Sequence, residues 1–245
     1  MPEAPWTIPS IAIAVDLAVF TVMDGMFQIM LVERGVEPYR GLPALPGGFL
    51  HDAGESLDAA AARELAEETG LDASRLHWEQ LGTYGEPDRD PRQRVVTVCY
   101  LAFVVGTATP QAGGDARAAS WVPTSTILKG DTQLAFDHRQ IIDAAVERAR
   151  SKLEYTTLAA TFCDPEFTVT DLRQVYEIVW DEHLDPRNFH RKVTGVTDFL
   201  VPTGRQTVRH GGRPAALFRR GSAHLLHPAM LRPCPPRPAS AIQTS

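Results

Sequence analysis

The apolar positions fall into two styles along the chain, runs and spaced patterns. Ile11 to Val22 and Phe27 to Val32 are apolar runs that predict two strands, parted by the turn dipeptide Asp24-Gly25. Ser56 to Thr69 reads as a helix, with Ser56 as N-cap and Gly70 as the C-terminal stop. Arg94 to Val105 is β-branched and aromatic, which predicts a buried strand, and Ala119 to Val122 predicts a shorter one closed by Pro123. From Asp137 to Tyr155, the positions Ile141, Ile142, Ala145, Val146 and Leu153 recur at roughly helical spacing, so a long amphipathic helix is expected. Strands interspersed with a few helices give an α/β or α+β class to residues 1–155. Residues 156–165 read as a linker.

The pattern then changes character. Thr170 caps a predicted helix from Asp171 to His183, with Leu172, Val175, Tyr176, Ile178 and Val179 near helical spacing. A short turn leads to Asp185, a good N-cap, and Pro186, a good first helical residue, for a second helix through Val193. Phe189 and Val193 are four apart and turn inward, while Arg187, Asn188, Arg191 and Lys192 turn outward. Two helices joined by a short turn, the second one basic, make a helix-turn-helix. Val196 to Val201 and Ala215 to Arg219 then predict two short strands around a Gly-rich basic loop that carries Arg205, Arg209 and Arg213. A winged helix lays such a loop along the phosphate backbone. Residues 166–220 are therefore expected to be a small winged helix-turn-helix domain, and residues 221–245, rich in proline and small residues, a flexible tail.

Charge sharpens this division. The 245-residue chain has a formal net charge of −6, which taken alone disfavours a nucleic-acid partner. From Pro186 to Ser245, however, ten basic residues face the single acid Asp198, so that stretch is +9 and the remainder −15. An acidic domain joined to a basic, anion-binding one accounts for both values. With 44% apolar and 22% charged residues, the composition is that of a folded chain. No apolar run approaches the ~18 residues of a membrane span. The first ten residues lack the basic start of a secretory signal, and three widely spaced cysteines suit a reducing compartment, so a cytoplasmic location is expected.

The chemistry concentrates in one segment. Gly47 and Gly48 are followed by Glu55 and then by Arg63-Glu64-Leu65-Ala66-Glu67-Glu68-Thr69-Gly70-Leu71. Glu64, Glu67 and Glu68 share one helix face within an arc of about 100°. Carboxylates grouped in this way repel one another, and a divalent cation converts that cost into a binding site. This segment closely resembles the Nudix box of the Nudix hydrolases. It departs at the start, with six residues rather than five between Gly48 and Glu55. The resemblance implies a Nudix α/β/α sandwich in which Glu64, Glu67 and Glu68 ligate Mg²⁺ or Mn²⁺. Glu67 and Glu68 would then be catalytic if the domain hydrolyses a nucleoside-linked pyrophosphate. Gly47 and Gly48 let the backbone approach a ligand closely. Arg34, Tyr39, Arg89 and Arg92, on expected loops, are further candidates for contacts with a nucleotide. His138, which opens the long helix, reads as structural rather than as a general base.

An acidic Nudix domain followed by a basic winged helix resembles the Nudix-related transcriptional regulators (NrtR) of bacterial NAD metabolism. The likeness includes Leu134 to Arg139, Leu153 to Phe162, Arg187 to Lys192 and Gly211 to Pro214. It implies a homodimeric repressor of NAD biosynthesis or salvage genes, with operator DNA as one partner and an ADP-ribose-type effector as the other. Two alternatives stand beside it: a working ADP-ribose pyrophosphatase, and a protein-binding scaffold with an inactive Nudix fold.

Overall fold

A computed structural model of the chain describes residues 9–73, 76–104, 116–208 and 214–233. The chain divides into two compact units, Met1–Ala149 and Arg150–Ser245.

The first unit is built on a seven-stranded mixed sheet. Strand β1 (Ala12–Met23) turns at Asp24 and Gly25, whose φ values of 53° and 72° are both positive, into β2 (Met26–Arg34). A two-residue turn of that kind matches the twist of antiparallel strands. The short strands β3 (Pro43–Ala44) and β4 (Gly47–Phe49) pair with β2 and β1. Strand β5 (His77–Tyr84) pairs antiparallel with β6 (Val95–Phe103), which lies parallel to β1, and β7 (Ala116–Pro123) closes on β2. Residues Ala14 to Phe20 are buried without interruption, so β1 lies within the core on both faces.

Helix α1 (Leu57–Thr69) starts at Ser56, whose hydroxyl accepts the Ala59 N–H, and stops at Gly70 in the left-handed conformation. Ala60, Ala61 and Leu65 pack into a cluster with Val15, Leu17, Val19 and Tyr100. The helix α2 (Thr124–Leu128) is short, and α3 (His138–Tyr155) buries Ile141, Ile142, Ala145 and Val146. The α/β expectation and the long strands and helices hold. Strands β3, β4 and β5 and helix α2 are not among the expected elements.

In the second unit, α4 (Val169–Trp180) begins earlier than expected. Its cap is Thr168, not Thr170, and Thr168 and Asp171 form a reciprocal capping box. Helix α5 (Pro186–Thr194) begins at Asp185, whose carboxylate accepts the Asn188 N–H. Tyr176 meets Phe189 edge-on at 5.3 Å and Trp180 at 4.8 Å, which locks α4 and α5 together. Strands β8 (Leu200–Thr207) and β9 (Ala215–Arg220) form a two-stranded sheet. Arg205 thus lies in a strand and not in the loop, while Arg209 and Arg213 fall outside the described residues.

Two expected boundaries differ from what the structure shows. The 156–165 segment is not an open connector: Thr157–Phe162 form a 3₁₀ helix capped by Thr156, with Leu158, Ala159 and Ala160 buried. Residues 221–233, whose prolines suggest a tail, fold back over the end of α3. Leu226 and Met230 are buried, and their amides donate to the carbonyls of Tyr155 (2.9 Å) and Glu154 (2.8 Å). Arg232 pairs with the Glu154 carboxylate at 2.7 Å. Two buried apolar residues and three polar contacts suffice to anchor the segment. The rest of the expected tail, residues 234–245, lies outside the described residues. Among the described residues, no helix is long and apolar enough to cross a membrane.

Candidate functional site

The glycine strand and α1 face each other across a narrow gap. A Cβ on Gly47 would lie 2.2 Å from the Val15 carbonyl oxygen, and one on Gly48 would lie 2.3 Å from Glu64 Oε1. At Gly47 the neighbour is backbone and only glycine fits, whereas at Gly48 it is the flexible end of Glu64. The longer Gly48–Glu55 loop leaves both contacts in place. The loop forms an exposed turn, where the Asp52 carboxylate accepts the Gly54 N–H at 2.7 Å and Glu55 accepts the His51 N–H.

Arg63 organises the acidic residues around it. Its guanidinium donates to both Glu55 oxygens (2.8 and 3.0 Å), to Glu64 (2.7 Å), to Glu67 (3.2 Å) and to the Phe49 carbonyl (3.1 Å). Hydrogen bonds from Arg63, then from the His51 amide, hold the pKa of Glu55 down at about 2. Glu64 moves the other way. Burial raises it above the usual carboxylate value, and Arg63 only partly opposes that rise. Glu68 is buried as well, and its Oε2 accepts the Gly47 N–H at 2.8 Å.

The three glutamates of the expected metal set each have a protein partner in this arrangement. Glu64 and Glu67 both accept from Arg63 Nη1, and Glu68 accepts the Gly47 amide. Among the described residues, no group of three His, Cys, Asp or Glu side chains is placed to hold a metal ion. Adjacent positions on a helix face set where side chains start; their partners set where they end.

Beside the glycine strand lie two adjoining clefts that share Arg34, Leu45, Gly47, Gly48, Phe49 and Arg92. Arg34 stacks over the Phe136 ring at 4.7 Å, and Arg92 lies 5.7 Å from the same ring and 5.3 Å from Phe49. Tyr39 does not line the clefts but meets Phe136 edge-on at 4.9 Å. Tyr39 and Phe136 both have positive φ, 65° and 52°, a conformation that is costly for aromatic side chains and clusters at ligand clamps. Arg92 is steadied by Asp90, which accepts from Nε at 3.0 Å and from Nη2 at 2.6 Å.

Arg89 has a different situation from the one expected. It lines the cleft, yet its guanidinium is buried and committed to Asp137 (2.9 and 2.7 Å) and Asp16 (3.4 Å). Burial opposes its charge, and the two carboxylates more than restore it. His138 completes this cluster: its Nδ1 accepts the Leu45 N–H at 2.8 Å, and burial holds its pKa below the usual histidine value. It is a neutral, structural histidine, in keeping with its place at the helix start. Sequence spacing does not reveal Asp16 and Phe136 as parts of the site. The one available signal is Asp16 itself, a lone acid inside the first apolar run.

The second unit displays its polar residues. On α5, Phe189 and Val193 are buried, whereas Arg187, Asn188 and Arg191 are exposed and Lys192 is half-buried. Arg191 donates to Asn188 at 2.8 Å, and Lys192 lies in the last turn, where a cation suits the helix dipole.

Two family descriptions match the chain: NUDIX domain over residues 13–145, and NrtR DNA-binding winged helix domain over residues 159–220. The ADPR responsive transcriptional repressor NtrR of Acinetobacter baylyi is 37% identical over 212 residues, covering 86% of this chain and 82% of that protein. The crystal structure of Shewanella oneidensis NrtR complexed with a 27mer DNA superposes with a TM-score of 0.70 at 33% identity, covering 87% of this chain and 99% of that one. The NUDIX domain of the same Shewanella protein, in a cocrystal with ADP ribose, matches with a TM-score of 0.53 at 36% identity over 60% of this chain and 94% of that one. Nudix hydrolases generally work with a divalent metal ion; the glutamates of this chain, as they stand, offer it no shared set of donors.

Proposed function

Because this chain belongs to the NrtR family of Nudix-domain transcriptional regulators, we propose that it is a DNA-binding transcriptional repressor of NAD biosynthesis or salvage genes. Its Nudix unit senses ADP-ribose or a related NAD-derived nucleotide. It acts as a cytoplasmic homodimer on operator DNA. The observation that carries this reading is helix α5, which buries Phe189 and Val193 and turns Arg187, Asn188 and Arg191 to solvent. Arginine matches guanine and asparagine matches adenine in the major groove, while Lys192 suits phosphate. Arg205 adds a backbone contact from the wing, and Arg209 and Arg213 are proposed to do the same.

In the Nudix unit, Arg34 and Arg92 line the cleft beside Gly47 and Gly48 and supply the positive charge for an anionic ligand. Arg89 supports that surface from beneath. Effector binding changes DNA affinity only if the pocket prefers one arrangement of the dimer over another. Half-sites one helical turn apart, roughly 34–36 Å, make a small rotation of the dimer sufficient.

A second reading, a Mg²⁺- or Mn²⁺-dependent ADP-ribose pyrophosphatase, is favoured by the intact Arg63 to Leu71 helix. It requires Glu64, Glu67 and Glu68 to leave their present partners, Arg63 and the Gly47 amide. One experiment separates the two. The protein is titrated onto its own upstream DNA with and without ADP-ribose, and AMP release is followed with Mg²⁺ or Mn²⁺. Specific retention that ADP-ribose weakens supports the repressor, and lack of specific retention overturns it. AMP release lost in Glu67→Gln establishes hydrolysis.

A further inference from the structure

Between the two helices and the wing sits an acid that neither the recognition surface nor the effector cleft uses. Glu166 precedes α4, and its neighbour Phe167 is bound to strand β9 by two backbone hydrogen bonds with Phe218, of 3.0 and 2.8 Å. The carboxylate is therefore fixed at the root of the wing. Its Oε1 accepts from Arg219 Nε at 3.0 Å and Nη2 at 2.6 Å, and its Oε2 is ion-paired with Arg205 Nη2. Arg205 lies on β8 and Arg219 on β9, so one carboxylate engages a cation on each strand.

The exposures are unequal. The side chains of Arg205 and Arg219 are each 64% exposed, while that of Glu166 is 16% exposed. The anion is set into the fold, and the cations reach it from outside. Exposed ion pairs are weak and screened by salt, so a DNA phosphate can displace the carboxylate from either arginine. The displacement still has to occur before that arginine contacts the backbone.

We infer that Glu166 competes with DNA phosphate for Arg205 and Arg219, and so sets how strongly the second unit holds duplex independently of sequence. This rests on the DNA-binding reading given above. Its consequence has a definite sign: neutralising an acid beside the wing strengthens DNA binding and makes it more sensitive to salt.

The test uses the full chain and a fluorescent duplex of arbitrary sequence, followed by anisotropy across a salt series. Glu166→Gln is expected to tighten binding by about three- to tenfold at low salt. It should also steepen the slope of log affinity against log salt by roughly 0.9 for each arginine freed. Adding Arg219→Gln should remove one such increment in the Glu166→Gln background and less than one in the unmodified chain. Glu166→Asp keeps the charge, so it should keep the original slope, which separates charge competition from loss of local structure. Weaker binding by Glu166→Gln would make Glu166 a support for the arginines and overturn the proposal. Equal slopes in the two proteins would overturn it as well. No duplex retention by the unmodified chain at any salt concentration would overturn the DNA-binding reading together with this one.

Discussion

Helices α1 and α5 begin alike and use their charges in opposite ways. Each starts at a side chain that accepts an amide of the first turn, Ser56 in one and Asp185 in the other. Along α1 half of the acids turn toward the protein: Glu64 and Glu68 are buried while Asp58 and Glu67 are exposed, and Arg63 gathers Glu55, Glu64 and Glu67. Along α5 they turn to water, with Arg191 donating to its neighbour Asn188 on the same exposed face. Charge that is satisfied internally sets geometry, whereas charge left exposed is available to a partner. Substitutions of the buried charges in the first unit should therefore be read out as stability, and substitutions on α5 as affinity.

The strongest test of that contrast is Arg89→Met. It leaves Asp16 and Asp137 facing each other beside His138 without the cation that joins them. Removing one member of a buried ionic cluster typically costs about 3–5 kcal/mol. Denaturant unfolding of the variant should show a loss of that size. A loss below about 1 kcal/mol would mean that the cluster is hydrated and that the contrast with α5 is overstated.

The second unit is not all display, and residues 221–233 show where its own interior lies. Leu226 is 2% exposed and anchors the returning segment over Tyr155. Leu226→Ala should cost about 2–5 kcal/mol, a cavity effect that thermal or denaturant unfolding would reveal. Unchanged stability in this variant would return the segment to the status of a tail.

Arg191→Ala sharpens the comparison from the other side. The side chain is exposed, so unfolding should change by no more than about 0.5 kcal/mol. Operator affinity should fall by about 1–3 kcal/mol, with sequence preference relaxed at one position. A uniform loss across sequences would assign Arg191 to phosphate and not to a base.

How much of this is legible in the sequence depends on whether a residue's partner is near in the chain. Ser56, Gly70, Asp185 and Pro186 act within a single turn, and each occupies its expected place. Strands β1, β2 and β6 are equally legible, because burial leaves each a near-continuous apolar run, whereas the eight residues of β5 mix polar with apolar positions. Strands β3 and β4 span only two and three residues, too few for any period. Helical spacing brings the α1 glutamates together but says nothing of competing partners: the Gly47 amide lies 21 residues from Glu68. Arg89 reads as a ligand contact because it sits among charges on a loop, and its actual partner, Asp137, is 48 residues away. Residues 221–233 elude composition, which records their prolines and not the two apolar anchors.

The smallest effect tests whether the interior of the first unit tolerates a new charge. His138 is buried against Asp16, Asp137, Arg89 and Arg34, and burial pushes its pKa below 6.5. The unfolded chain therefore binds a proton at this residue at a higher pH than the folded one does. Stability contributed by the neutral ring is complete above about pH 6.5 and declines as pH falls toward the depressed folded value, by at most about 1.4 kcal/mol per pH unit. Glu55, held at about 2, yields its share only below its ordinary 4.5, so its window lies lower. His138→Gln has no proton to take up, and Glu64 titrates in both proteins, so the difference between their stability–pH curves isolates the histidine. That difference should shrink as pH falls from about 6.5 toward about 5. Parallel curves would mean that the cluster accepts an imidazolium between Asp16 and Asp137 without cost, and the first unit would then hold its charges as loosely as α5 does.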